Sequence, residues 1–254
     1  MIQVLPTWLE DLLRVLSYGN EILAGLGRTL SLYFTALVMG FFLGLVFAIG
    51  RQYGGMLVSR ICTAYIEIIR GTPLLVQLFL FYFFPYSLSA TLELFGFPPL
   101  PLDWGIQVIG PGGSMITILN HRIFTCYLML GLNSTAYQAE YLRGAIASVS
   151  AGQLLAAQSL GLSRLGGIRS VVLPQSLRRV IPSWSNEAAY LPKYTVVAYF
   201  IGVEDLFAVA HYIVARTFLT LTTYLVIALI YLVLITIISR ILDYVHDKTK
   251  IPGL

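Results

Sequence analysis

Four long stretches of this chain carry no charged side chain: 29–50, 71–92, 123–139 and 217–239. The hydrocarbon core of a bilayer is about 30 Å thick and a helix rises about 1.5 Å per residue, so roughly 20 apolar residues suffice to cross it. Each stretch is a candidate transmembrane helix. A fifth, 181–203, is apolar but interrupted by Glu187 and Lys193, and it joins the set because broken spans are common where membrane proteins act on polar solutes. With 57% hydrophobic and 11% charged residues, a water-solvated surface is excluded. The expected class is therefore an all-α membrane protein of about five spans.

The basic residues give the orientation. Arg51, Arg60, Arg164, Arg169, Arg178, Arg179, Arg240, Lys248 and Lys250 fall in alternate loops or the C-terminal tail, which the positive-inside rule places in the cytoplasm. The N-terminus is then outside and the C-terminus inside. The net charge of +4 thus reports topology, and nucleic acid is not expected as a partner. On the outer side lie a short turn near His211 and an extended segment containing FPPLPLDWGIQVIGPGGSM. There Pro98, Pro99, Pro101 and Pro111, with Gly110, Gly112 and Gly113, forbid a regular helix, so the apolar run 104–120 is read as an ordered loop and not a span. At the N-terminus, Glu10 and Asp11 and the lack of a basic leader argue against a cleaved signal peptide. Trp8, Leu9, Leu12, Leu13 and Leu16 recur at helical spacing, which suits a helix lying along the membrane surface. The domains expected are an amphipathic segment over 1–21, a transmembrane domain over 22–242 with an outer loop at about 87–122 and a cytoplasmic loop at about 150–175, and a tail over 243–254.

Within that cytoplasmic loop, AAQSLGLSRLGGIRSVVLP at 156–174 has a soluble character. Gln153 to Leu160 are helix formers, Gly161 is a natural C-cap and Ser163 can N-cap a second short helix carrying Arg164 and Arg169. Two short helices at an angle are expected, with Pro174 ending the second and Leu177 opening the next membrane segment. A helix-turn-helix for DNA is excluded because the second helix is pinned to the membrane. From the residues alone, packing of the loop on its own protein remains as open as docking to a partner.

These residues also carry a resemblance. The loop resembles the cytoplasmic signature of ABC-importer permeases, Glu-Ala-Ala, three residues, Gly, nine residues, Ile-x-Leu-Pro, with Ala156, Ala157, Gly161, Val171, Leu173 and Pro174 at matching positions and Leu155 in place of the Glu. IEIIRGTPLLVQLFLFYF (66–83), AEYLRGAIASVSAGQ (139–153) and LPQSLRRVIPSWSNEAAYLPKYTVVAYFIGVEDLF (173–207) are similar to the polar amino-acid branch of that family, the histidine, arginine, glutamine and opine type. The likeness covers about 22–242. It departs in the longer outer loop and in Tyr194, where an Asp is frequent.

The resemblance implies a type I importer permease fold in a bacterial inner membrane. It implies that 156–174 is a coupling helix for a separate dimer of ATPase subunits, with Ala156, Ala157, Gly161, Leu162, Arg164 and Pro174 at the contact. ATP and Mg would sit on those subunits. The absence of a Gly-Lys dipeptide agrees, since a Walker A loop needs one. A second permease chain, identical or homologous, and a periplasmic or lipid-anchored substrate-binding protein complete the expected assembly. No cofactor is expected in this chain.

Polar residues within the apolar runs are the candidates for a substrate path, because each costs at least about 2.5 kcal/mol at mid-bilayer unless paired or hydrated. Glu67, Arg70 and Gln77 are expected near one helical face, with Thr72 and Pro73 breaking the ladder beside them. The alternative is a local Glu67–Arg70 ion pair. Asn133, Tyr137 and Glu140 form a stripe toward Arg143, or an anchoring pair of Glu140 with Arg143 or Arg179. Asn186, Glu187, Tyr190, Lys193 and Tyr194 surround Pro192, offering both charge signs to a zwitterion or an ion pair between helices. Cys62 and Cys126 read as buried apolar residues. His121, His211 and His246 show no triad or metal spacing, and no enzyme activity is expected. The function expected is translocation of a polar, including cationic, amino acid by alternating access. Another small polar solute, or a passive channel or scaffold, is the alternative.

Overall fold

Proline and glycine mark several of the helix ends in this protein. The structure is a computed structural model that describes residues 7–100, 106–109, 115–149 and 151–249. Helix α1 spans Thr7–Leu16, α2 Gly19–Tyr53, α3 Met56–Gly71 and α4 Leu74–Leu94. Between α3 and α4 both Thr72 and Pro73 are extended, because Pro73 cannot donate to the ladder and restricts the residue before it. The expected break in the ladder at Thr72 and Pro73 thus separates two helices. Helix α2, at 35 residues, reaches about 52 Å at 1.5 Å per residue, well past the 29–50 run that marks it in the sequence.

After α4 a short antiparallel strand pair, β1 (Ile106–Ile109) and β2 (Met115–Leu119), stands where an ordered outer loop is expected. Within the run 104–120, the described residues 106–109 and 115–119 are strand and not a spanning helix. Met1 to Pro6, Pro101, Trp104, Gly110 to Gly113 and Lys250 lie outside the described residues. Then come α5 (His121–Ser148), α6 (Ala151–Ser159), α7 (Arg164–Gly167), a π-turn (Ile168–Val172), α8 (Leu173–Arg179) and α9 (Ile181–Tyr194). A 3-10 turn (Thr195–Ile201) leads to α10 (Leu206–Thr217) and α11 (Thr220–Thr249).

By length and composition α2, α4 and α11 can each cross a membrane, and 181–201 with α10 makes a fourth candidate bent by 54°. Helix α5 is long enough, but Asn133, Ser134, Thr135 and Gln138 dilute it and all four are buried within the protein. On α11, Leu221, Leu225, Leu229 and Leu232 form an exposed apolar row, as a lipid-facing surface requires. His211 lies inside α10 and not in a turn, and His246 is in the last helical turn of α11, which carries the expected tail as helix to Thr249.

The chain divides into two compact units. The first comprises Met1–Thr35, Pro73–Leu130 and Pro192–Leu234. Its core joins Val15 of α1, Ile22 of α2, Leu206, Val209, Ala210 and Ile213 of α10, and Ile227 of α11. Helix α1 is therefore tied to the protein through Val15 while Trp8, Leu13 and Leu16 stay exposed. Asp205 caps α10 by accepting from the Ala208 N–H at 2.9 Å, and the Leu206 N–H donates to the Thr29 hydroxyl at 3.1 Å.

The second unit comprises Ala36–Thr72, Gly131–Leu191 and Ile235–Leu254. Its core is Ala48 of α2, Leu142, Ala145 and Ile146 of α5, Val149, and Val172 and Val180 from the segment beyond α7. Gly40 and Gly44, four residues apart, let α2 approach α5: a Cβ at Gly44 would come within 3.0 Å of the Ala139 nitrogen. This small-xxx-small spacing is how helices pack closely in lipid, where water no longer drives them together.

Candidate functional site

The 150–175 loop folds into an elbow whose turn belongs to Gly161. The Leu162 N–H donates to the Ala157 carbonyl at 3.1 Å and the Gly161 N–H to the Gln158 carbonyl at 2.9 Å, the paired bonds of a Schellman motif. Gly161 sits at φ +90°, a conformation that disfavours any side chain. Ser163 then caps α7, its hydroxyl accepting from the Gly166 N–H at 3.1 Å. The two helices close on each other through Ala157 and Gly167, and a Cβ at Gly167 would meet Leu154 at 2.8 Å.

Pro174 does not end the second helix. It stands in the first turn of α8, where a missing N–H breaks no helical bond, and the wide π-turn before it lets the helical path continue. Leu177 lies within α8, and the next helix, α9, begins at Ile181. Of the residues expected at a partner contact, Ala156, Gly161, Leu162, Arg164 and Pro174 are exposed, whereas Ala157 is buried in the elbow. Arg164 also lies over the Tyr53 ring at 5.9 Å. Exposure adds Leu155, Leu160 and Leu165, at 64%, 86% and 74%. With Leu162 they make four exposed leucines on this loop, and exposed apolar surface of this kind marks contact regions.

The same unit holds an ion-pair arch. Arg51 of α2 donates to Glu140 of α5 at 2.7 Å and to Glu67 of α3 at 3.1 Å, and Arg143 binds Glu140 through two bonds of 3.0 and 2.5 Å. Arg70 stacks over Tyr137 at 5.4 Å. The expected Glu67–Arg70 pair is thus replaced by Glu67–Arg51, and Arg179 leaves Glu140 to Arg143 and donates instead to the Ser148 carbonyl at 2.7 Å. Gln77 is on α4, a separate helix from Glu67 and Arg70, so the expected common face does not exist.

A buried polar knot lies further along α5. The Gln138 amide donates to the Leu37 carbonyl at 3.1 Å and to Ser134 at 2.9 Å, and accepts from the Trp184 indole at 2.6 Å. Ser134 donates to Glu187 at 3.4 Å, and Glu187 is almost wholly buried. The expected both-sign cluster around Pro192 separates: Glu187 points inward, while Asn186, Tyr190 and Lys193, at i, i+4 and i+7, share the exposed face of α9. Tyr194, half-buried, closes α9, and Asn133 is buried on α5. Thr72 donates to the Ile68 carbonyl at 2.8 Å.

Residues 40–251 match the family described as binding-protein-dependent transport system inner membrane component. The chain belongs to this family. It is 30% identical over 231 residues to the nopaline transport system permease protein NocM of Agrobacterium fabrum, covering 91% of this chain and 88% of that protein. The glutamine transport system permease protein GlnP of Escherichia coli is 31% identical over 231 residues, covering 91% and 93%. The histidine/lysine/arginine/ornithine transport system permease protein HisM of Salmonella typhimurium is 30% identical over 235 residues, covering 92% and 91%. Among solved structures, a chain of an amino acid ABC transporter determined with histidines superimposes with a TM-score of 0.72 at 30% identity, over 93% of this chain and 97% of that one. The inward-facing MetNI methionine ABC transporter agrees in fold, with a TM-score of 0.71 at 16% identity over 92% and 99%.

As an importer permease, the chain is a membrane-spanning transport subunit, and the expected fold class is the observed one. Two parts of this permease have sequence signals that composition and charge-free runs do not reveal. The Gly40/Gly44 spacing announces the α2–α5 contact. Gln138, four residues after Ser134, announces a polar ridge that must be satisfied inside the protein.

Proposed function

We propose that this permease carries a polar amino acid, cationic ones included, from a substrate-binding protein across the bacterial inner membrane by alternating access. Partner ATPase subunits bind ATP and Mg and supply the energy. The observation that carries the reading is the Gly161 elbow, with its exposed leucines on a loop whose arginines favour the cytoplasm. Only a contact that differs between outward and inward states transmits energy, so the elbow is the lever and its Leu155, Leu160, Leu162 and Leu165 patch the grip. The basic residues of alternate loops support a C-terminus inside and an N-terminus outside. A second permease chain, covering the exposed polar face of α9, completes the path.

In this reading Asn186, Tyr190, Lys193 and Tyr194 line the path, with Thr72 and Gln77 flanking the α3–α4 break. Asn133, Tyr137, Glu140 and Glu187 hold the helices that shape it. Relatives named for glutamine, for basic amino acids and for nopaline support a cargo with an α-amino acid moiety, and the nopaline relative favours an opine as the second candidate. The test is uptake into proteoliposomes holding the purified complex and its binding protein. ATP-dependent accumulation of one labelled amino acid from a panel that includes an opine supports the proposal. Uptake indifferent to ATP overturns it.

A further inference from the structure

The first unit contains a cavity of about 420 Å³ that the transport path does not use. Glu21, Gly25 and Arg28 of α2, at i, i+4 and i+7, line one wall, and Glu204, Ala208 and Tyr212, at i, i+4 and i+8, line the other. A Cβ at Gly25 would meet Val209 at 2.8 Å, so the glycine brings the walls to their present distance. Arg28 is half-buried, and among the described residues Glu21, Arg28 and Glu204 make no ion pair with one another or with any other side chain. Arg216 lies over the Tyr212 ring at 4.4 Å and adds a second guanidinium beside that wall.

Two carboxylates and a guanidinium that share a cavity without pairing fit a ligand bearing both an ammonium and an anionic group. Arg28 immediately precedes the charge-free run of α2, and Glu204 stands two residues before the apolar helix α10, which is the depth at which headgroups meet a span. The surroundings are those of a bilayer surface. Leu23 is 67% exposed beside Glu21, and α1, fixed to this core by Val15, leaves Trp8, Leu13 and Leu16 uncovered.

From this geometry we infer that the cavity binds the headgroup of a zwitterionic aminophospholipid, its ammonium between Glu21 and Glu204 and its phosphodiester on Arg28. The guanidinium suits a phosphate because it offers two parallel donors. The inference concerns a lipid and stands apart from which solute the permease carries.

Native mass spectrometry of the delipidated complex, offered equal amounts of phosphatidylethanolamine, N-acetyl phosphatidylethanolamine and phosphatidylglycerol of the same acyl chains, tests it. The wild type is expected to retain phosphatidylethanolamine about tenfold over the other two, a preference of one order in affinity. Arg28→Gln and Glu204→Gln are each expected to bring that ratio toward one, and Arg28→Lys to keep part of it. The wild-type comparison decides even if a variant fails to fold. Equal retention of the three lipids overturns the site. Displacement of phosphatidylethanolamine by free arginine overturns the headgroup and assigns the cavity to a free zwitterion.

Discussion

Arg51 and Glu140, 89 residues apart in the chain, are joined at 2.7 Å, and the same guanidinium also holds Glu67 at 3.1 Å. One side chain of α2 thereby ties α3 and α5 together. Arg51 and Glu140 are each less than a quarter exposed, whereas Glu67 is 59% exposed, so the two bonds differ in strength.

Arg51→Gln is expected to lower stability by about 1–2 kcal/mol, because Glu140 loses a partner in a partly desolvated place. Glu67→Gln is expected to change it by less than about 0.5 kcal/mol. Thermal unfolding of the purified chain, with a double-mutant cycle on Arg51→Gln and Glu140→Gln, checks both. A coupling of at least about 0.5 kcal/mol is predicted, and strict additivity would contradict the arch.

Glycines of α2 are predicted to behave oppositely. A Cβ at Gly40 overlaps the Gln138 amide and comes within 2.7 Å of the Ser134 hydroxyl, so Gly40→Ala is expected to cost about 1–3 kcal/mol by pushing α2 off α5. A Cβ at Gly27 meets nothing within 4 Å, so Gly27→Ala is expected to be neutral or stabilising by up to about 1 kcal/mol. The same unfolding measurement ranks the two, and equal effects would refute the close approach.

Gln138→Leu removes the acceptor of the Trp184 indole and the donor to the Leu37 carbonyl. Each buried group left unsatisfied costs about 1–3 kcal/mol, so the variant is expected to be among the least stable single substitutions in α5. Trp184 fluorescence and the unfolding midpoint report it together. A variant with the wild-type midpoint would show that the knot adds nothing.

Much of this was legible in the chain. The charge-free runs locate α2, α4 and α11 because lipid tolerates no alternative to a long apolar helix. Gly161 and Ser163 announce the elbow because a left-handed residue and a hydroxyl cap are local requirements. What escaped is tertiary. Nothing near Arg51 in sequence says that Glu140 is its partner, and by sequence Arg70 is the natural mate of Glu67 at i+3, yet it stacks on Tyr137 instead. The charge-free run of α5 hides Asn133, Ser134, Thr135 and Gln138, and only the fold shows that these buried groups meet their hydrogen bonds inside the protein. Pro174 was misread as a stop because proline in a first turn and proline after a last turn look alike without the π-turn that precedes it.

Lys193 shares the exposed face of α9 with Asn186 and Tyr190, and its role in the path separates from assembly. Lys193→Ala is expected to lower ATP-driven uptake about tenfold or more while leaving the ATPase bound to the permease. Uptake and co-purification measured on the same preparation give the answer. Unchanged uptake would remove Lys193 from the path.

The proposed coupling of this permease to an ATPase rests on the Gly161 elbow. Gly161 is at φ +90°, so Gly161→Arg strains the turn by about 1–2 kcal/mol and sets a bulky cation beside the leucine patch. The most direct measurement is co-purification of the wild-type chain and Gly161→Arg in mild detergent, with mass spectrometry of what remains bound. An ATPase subunit that follows the wild type and is lost from the variant, with the variant still folded, is the predicted result. An ATPase retained equally by both, or bound by neither, would contradict the coupling role.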